Sequence, residues 1–247
     1  MSRPIVVLVL SAALGLVAAG CGGAGDGGAA GTSTAASTAA PSGAGQASAK
    51  LPAGCTRVPD PGPRDDETQE KRPRGRLSSK AAKVEITTNC GSFTITLAVA
   101  DAPRTAASFA TLVKRGFYDD LTFHRISGDP ASGPFVIQGG DPLGTGLGGP
   151  GFSVREKPPA DLKYTKGTVA MAKTQAEPAG TSGSQFFVVT AADAGLPPDY
   201  ALVGRVTAGQ DVVDRIAKVP ADAEEKPVAP VVIQKATLDG ASVGGGA

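Results

Sequence analysis

Tryptophan is missing from the 247 residues of this chain and histidine occurs once, at His124, so a histidine-rich metal site has almost nothing to be built from. The three cysteines, Cys21, Cys55 and Cys90, are spaced too widely for a metal-ligand cluster. Neither sign of charge is in excess: 24 basic and 23 acidic residues leave a net charge of +1, which gives no reason to expect a polyanionic partner, and no nucleic acid is expected. Aromatic residues make up only 4%, whereas glycine (34) and proline (20) are abundant. Glycine, alanine and serine crowd the start of the chain, so one domain with long extensions fits better than a uniformly folded chain.

At the N-terminus Arg3 precedes an apolar run from Ile5 to Leu10 that continues through Leu14 and Val17 to Gly20-Cys21. The run falls short of the about 20 apolar residues that span a bilayer and ends in small residues, as an export signal does. Val17-Ala18-Ala19-Gly20-Cys21 resembles the processing box of bacterial lipoproteins, with Ala18 where leucine is more usual. The resemblance implies a signal peptide over 1–20 and lipid on Cys21; an ordinary secretory signal with a spare cysteine is the alternative. Cys55 and Cys90 then form an even pair, read in an oxidising exported compartment as one disulfide, with two buried free thiols as the alternative.

Residues 21–50 are nearly all glycine, alanine, serine and threonine, too small to repay the entropy of ordering, and are expected to be a flexible tether. Residues 51–81 read as a linker, first proline-rich and then charged. In it Lys71, Arg72, Arg74 and Arg76 form either a solvated face or a contact for anionic lipid. The folded domain is expected over 82–239, and 240–247 as a disordered tail.

Within the domain, Val84 and Ile86 alternate with polar residues, Asn89-Cys90-Gly91 turns the chain, and Phe93, Ile95 and Leu97 resume the period of two, which predicts a hairpin. Asp101 and Pro103 open a helix whose stripe is Ala106, Phe109, Ala110, Leu112 and Val113, ended by Gly116. A second helix is predicted over 211–217 and a last strand over 231–238. Many short strands with two helices predict a closed or nearly closed barrel, with a β-sandwich as the alternative.

Phe123-His124-Arg125, Phe135-Val136-Ile137-Gln138-Gly139-Gly140-Asp141 and Gly183-Ser184-Gln185-Phe186-Phe187 combine one fixed cation with apolar and amide groups. No plausible nucleophile accompanies them. Ser184 lacks a Gly-x-Ser-x-Gly context, and Gly139-Gly140 lacks the spacing and the lysine of a phosphate loop. His124 reads as structural. Phe186 and Phe187 are neighbours in a strand, so one faces the core and the other a groove. Such a set binds and polarises a neutral group without covalent chemistry.

With Phe117-Tyr118, Gly167 through Ala172 and Ser182, these motifs resemble the cyclophilin family of peptidyl-prolyl cis-trans isomerases over residues 82–239. The resemblance implies a mainly β fold, a closed eight-stranded antiparallel barrel capped by two α-helices, and a monomer that needs neither metal nor organic cofactor. It makes Arg125, Phe135 and Gln138 catalytic, and Val136, Ala172, Gln185, Phe187, Leu196 and Tyr200 substrate-binding. Tyr200 stands where many members carry histidine, Lys173 where they carry asparagine and Gly195 where they carry tryptophan. The stretch from Ile126 to Pro134 is longer than the family's, so Arg125 and Phe135 keep their places only if it bulges outward. The expectation is an extracytoplasmic prolyl isomerase, anchored to the bacterial cell membrane by lipid on Cys21 and acting on proline-containing exported polypeptides. A proline-peptide-binding or chaperone-like module and a purely anchoring lipoprotein are the alternatives.

Overall fold

The structure, a computed structural model, describes residues 50–64, 70–129 and 133–244. The expected signal peptide, Cys21 and all but the end of the expected tether lie outside the described residues. Alternation gives the first hairpin its single core face. In β1 (Lys83–Thr88) and β2 (Gly91–Leu97), Val84 lies opposite Ile95 and Ile86 opposite Phe93, all of them buried. The turn between them is tied down by Asn89. Its amide donates to Thr56 O (2.7 Å) and Pro230 O (3.1 Å), while its Oδ1 accepts from Val232 N (2.9 Å).

The first helix, α1 (Pro103–Lys114), starts on proline and has no local capping side chain. Glu156 supplies the cap from a distant loop, its carboxylate accepting from the amides of Arg104 (3.2 Å) and Thr105 (2.8 Å) and from the Thr105 hydroxyl (2.9 Å). A carboxylate there satisfies donors that lack helical partners and complements the helix dipole. The chain continues through β3 (Leu121–Thr122), β4 (Arg125–Asp129), β5 (Gly133–Gly139), β6 (Val154–Arg155), β7 (Thr168–Met171), β8 (Thr181–Ser182), β9 (Phe186–Val189) and β10 (Leu202–Ala208). It ends with α2 (Gln210–Ile216) and β11 (Val232–Asp239). The predicted hairpin, both helices and the last strand therefore form, with helix and strand limits within two residues of those expected.

The closed eight-stranded barrel does not form. Nine strands make one sheet in the order β3-β11-β1-β2-β10-β7-β9-β5-β4, and β6 pairs separately with β8. The sheet curls strongly but stays open, its edges 9 Å apart. That is about twice the spacing of hydrogen-bonded strands. The two edges, β3 and β4, are consecutive in the chain, joined only by Phe123 and His124. Their neighbouring amides turn elsewhere, Phe123 N to Val231 O and Ile126 N to Glu225 O, both 2.8 Å. The Glu225 carbonyl thus takes a β4 amide that a closing ladder would need, while Phe123 continues the pairing of β3 with β11.

Inside the curl, Ile86, Phe93, Ile95, Phe109, Leu112, Phe123, Ile137, Phe186 and Ile216 belong to one buried cluster. The segment before β1 lies against this domain. Leu51, Cys55 and Leu77 pack on the core, and Leu77 bridges to Val243 in the C-terminal segment. Cys55 and Cys90 are joined in a disulfide across 35 residues of sequence. By the loop-entropy argument, closing a loop of that size contributes about 3–4 kcal/mol. Replacing both cysteines by serine should lower unfolding free energy by that amount in urea titrations. An unchanged midpoint would show that the bridge adds nothing.

Candidate active site

Two rows of residues cross the sheet through β4, β5, β9 and β7. In one, Ile126 faces Ile137, Ile137 faces Val188 and Val188 faces Val169, and all four are in the core cluster. In the next, Arg125 faces Gln138, Gln138 faces Phe187 and Phe187 faces Ala170. Because successive residues of a strand point to opposite faces, the second row lies on the outer face. Phe186 joins the core and Phe187 the outer row, packed against Val136, Tyr164, Ala170 and Val189. Phe135, Ala172, Leu196 and Tyr200 pack onto the same outer cluster. All the apolar residues of the expected proline pocket are therefore gathered in one place.

The polar residues meet beside it. Arg125 Nη1 donates to Gln138 Oε1 (3.2 Å), and Gln138 Nε2 donates to Gln185 Oε1 (3.0 Å). Gln185 Nε2 donates in turn to the carbonyls of Gly146 (2.8 Å) and Gly148 (2.9 Å). Asp141 shapes that loop, its buried carboxylate accepting from the amides of Leu143, Thr145 and Gly146. Gly140 has φ +86°, and a Cβ there would lie 2.6 Å from Ser184 O, so no other residue fits the approach.

Sequence reasoning missed Glu225. Its Oε2 accepts from Arg125 Nε and its Oε1 from Ser127 Oγ, each at 2.5 Å, while Arg125 Nη2 donates to Ser127 Oγ (3.3 Å). Glu225 sits in a tight turn with φ +64°, held by Asp222, whose carboxylate accepts from the amides of Glu224 and Lys226. The signal that could have found it is Asp222 followed by charged residues and Pro227, a turn motif, but nothing local links that turn to Arg125. Arginine has five N–H donors. Three are engaged here, which leaves two without a partner among the described residues.

The long stretch after Arg125 extends the β4–β5 hairpin. Arg125 remains opposite Gln138, the register slips between Ser127 and Gly128, and Gly133 faces Asp129. Residues 130–132 lie outside the described residues.

Residues 83–238 match the family model described as cyclophilin type peptidyl-prolyl cis-trans isomerase/CLD. This chain belongs to the cyclophilin-type family. It is accordingly an enzyme of the peptidyl-prolyl cis-trans isomerase class. A peptidyl-prolyl cis-trans isomerase-like protein of Neurospora crassa is 41% identical over 161 residues, covering 64% of this chain and 94% of that one. An Arabidopsis thaliana isomerase is 36% identical over 161 residues, with the same two coverages. A solved cyclophilin-type isomerase of Cryptosporidium parvum, determined in the presence of the dipeptide Ala-Pro, superposes with a TM-score of 0.57 at 30% identity, covering 63% of this chain and 97% of that one.

Two of this cyclophilin's departures from the family pattern touch each other. Lys173, its side chain 5% exposed, places Nζ 5.4 Å from the centre of the Tyr200 ring and 3.1 Å from Asp199 Oδ2, and it donates to Glu177 O (3.2 Å). Tyr200 also stands edge-on to Phe187, ring centres 5.4 Å apart. Tyr164 braces its backbone, accepting from Tyr200 N (3.0 Å) and donating to Tyr200 O (2.5 Å). Burial pushes the Tyr164 phenol up to about 12, and the nearby Asp199 carboxylate adds to the effect.

His124 is half-buried beside Arg125, with both ring nitrogens shielded and unpartnered among the described residues. Burial lowers its pKa below the ordinary value of 6.5; Arg125 pushes the same way and Asp141 opposes. The folded state therefore holds fewer protons on His124 than the unfolded chain does. This contribution to stability is complete above pH 6.5 and is lost as pH falls toward the folded pKa. Between pH 7 and 5, unfolding free energy should fall with a slope of at most about 1.4 kcal/mol per pH unit from this group. His124→Leu should remove that part of the slope in urea titrations at several pH values. An identical pH dependence in the variant would show that His124 does not carry it.

Proposed function

We propose that this enzyme accelerates rotation about X-Pro bonds in exported polypeptides and is held at the outer face of a membrane by lipid on Cys21. The observation that carries the catalytic part is the guanidinium of Arg125, fixed by Glu225, Gln138 and Ser127 in the same row as Phe187. Rotation about a peptide bond faces a barrier of about 18–20 kcal/mol because resonance gives the C–N bond partial double-bond character. In the twisted state the prolyl nitrogen regains its lone pair. A remaining N–H of Arg125 donates to that lone pair and favours the twisted state over the planar one. Arginine suits this because it stays protonated and its fork is rigid.

The ring is held by the outer cluster. Phe135, Val136, Phe187 and Leu196 bury proline while the residue before it turns, and Ala172 leaves room for the backbone. Burying roughly 100 Å² of apolar ring surface contributes about 2–3 kcal/mol, which gives weak, transient binding compatible with turnover. The likeness to the Cryptosporidium parvum enzyme crystallised with Ala-Pro supports a proline-containing ligand. Lys173 is occupied by Asp199 and backbone carbonyls, so substrate backbone contacts on that side fall to Gln138, Gln185 and Ala172.

A protease-free exchange assay on proline peptides tests the mechanism. Arg125→Ala should lower kcat/KM on the order of 100-fold, the effect of losing one donor aimed at the transition state. Glu225→Ala keeps the guanidinium but releases it, and should lower kcat about tenfold with little change in peptide affinity. Full activity in Arg125→Ala would refute the assignment. For the anchor, Cys21→Ser should release the protein from salt-washed membranes, and retention would point to an uncleaved apolar segment instead.

A further inference from the structure

The 24 basic and 23 acidic residues of the chain are not evenly placed. Residues 70–76 lie as a strap across α1. Glu70 N donates to Pro150 O (2.9 Å), and Arg115 Nη1 donates to Glu70 Oε2 (2.7 Å) and Lys71 O (2.8 Å). At the other end Gly244 N donates to Arg76 O (3.0 Å). A Cβ on Gly75 would fall 1.9 Å from Gly244 O, so the strap backbone touches the C-terminal segment directly.

An open cleft of about 970 Å³ on one side of the strap is lined by Lys71, Arg72, Arg74, Lys114 and Arg115. A second cleft of about 340 Å³ shares Arg72 and Arg74 and adds Arg76, Arg104 and Arg155. All eight cations are exposed, and among the described residues no aspartate or glutamate lines either cleft. One third of the basic residues thus form a single face, with Glu70 and Glu156 at its margins occupied by Arg115 and by the start of α1.

We propose that this face docks on the surface of an anionic lipid bilayer. Charge complementarity is its basis, since cations near such a surface each add to attraction within a Debye length. Among the described residues the clefts carry proline, glycine, valine, alanine and threonine between the cations and no aromatic ring, so the unpaired bases of a single strand would find nothing to stack on. On the reading proposed above, the N-terminal run and Cys21 also bring the chain to a membrane. A lipid chain and a polybasic patch are two signals that together give stable attachment where one is marginal. The proposal does not rest on lipidation, because all eight cations lie between Lys71 and Arg155, in the part of the chain that carries the core cluster and the disulfide.

The test uses purified residues 42–247, without Cys21, floated with vesicles of phosphatidylcholine alone or mixed with phosphatidylglycerol. Binding should be confined to the anionic vesicles. It should fall steeply between about 0.1 M and about 1 M salt, as the Debye length shrinks from about 10 to about 3 Å. Arg72→Gln with Arg74→Gln should lower partitioning roughly 30-fold, about fivefold for each cation. The same double variant should isomerise proline peptides at the normal rate, which shows that it is folded and separates this proposal from the catalytic one. Equal binding to neutral vesicles, or anionic binding unchanged in the double variant, would overturn it. Tighter binding of duplex DNA than of anionic vesicles at equal salt would reassign the face to nucleic acid and overturn it as well.

Discussion

The register that sets Arg125 opposite Gln138, and Gln138 opposite Phe187, is the constraint on which the site depends. Polar contacts alone would not hold it. The neighbouring row, Ile126, Ile137, Val188 and Val169, is buried, and each such side chain contributes about 1.5–3 kcal/mol when taken from water. A one-residue slip would move that row to the outside and carry the guanidinium toward the core. The interior therefore specifies the geometry of the exterior, and the hairpin can grow beyond Ser127 without moving the residues before it.

The openness of the sheet serves the same site. Because β3 and β4 do not pair, the amide of Ile126 is left to bond the carbonyl of Glu225. That bond to the Glu225 carbonyl brings the Glu225 carboxylate to Arg125 and Ser127. A closed ladder between the edges would compete for the amide of Ile126. From the opposite side the Asp141 carboxylate holds the amide of Gly146, and the carbonyls of Gly146 and Gly148 orient Gln185 and through it Gln138. The guanidinium is thus held from two loops far apart in sequence, and its remaining donors keep one direction.

Local pattern made much of this readable. The period of two in Val84-Ile86 and Phe93-Ile95-Leu97 and the stripe through Phe109 and Leu112 report burial directly, and the hairpin, helices and last strand follow from them. Motif resemblance supplied Arg125, Gln138 and the apolar cluster. Barrel closure was beyond reach because periodicity says which face is buried but not whether two edge strands find each other. Glu225 was hidden for a related reason: it lies 100 residues from Arg125, on a solvent-facing turn whose composition explains only the turn. The docking of residues 50–64 and 70–81 was obscured because a few anchors, Leu51, Cys55 and Leu77, are diluted among prolines and charges.

Pairing Arg125 with Glu225 also separates two uses of positive charge on one molecule. An X-Pro bond is neutral, so the site needs directed donors more than it needs a net field. A carboxylate 2.5 Å from Nε cancels much of the long-range charge of the guanidinium while leaving its outer N–H groups in place. Among the described residues the strap cations have no such partners lining their clefts, and their field extends into solvent. An anionic surface is therefore drawn to the strap cations rather than to the guanidinium of Arg125.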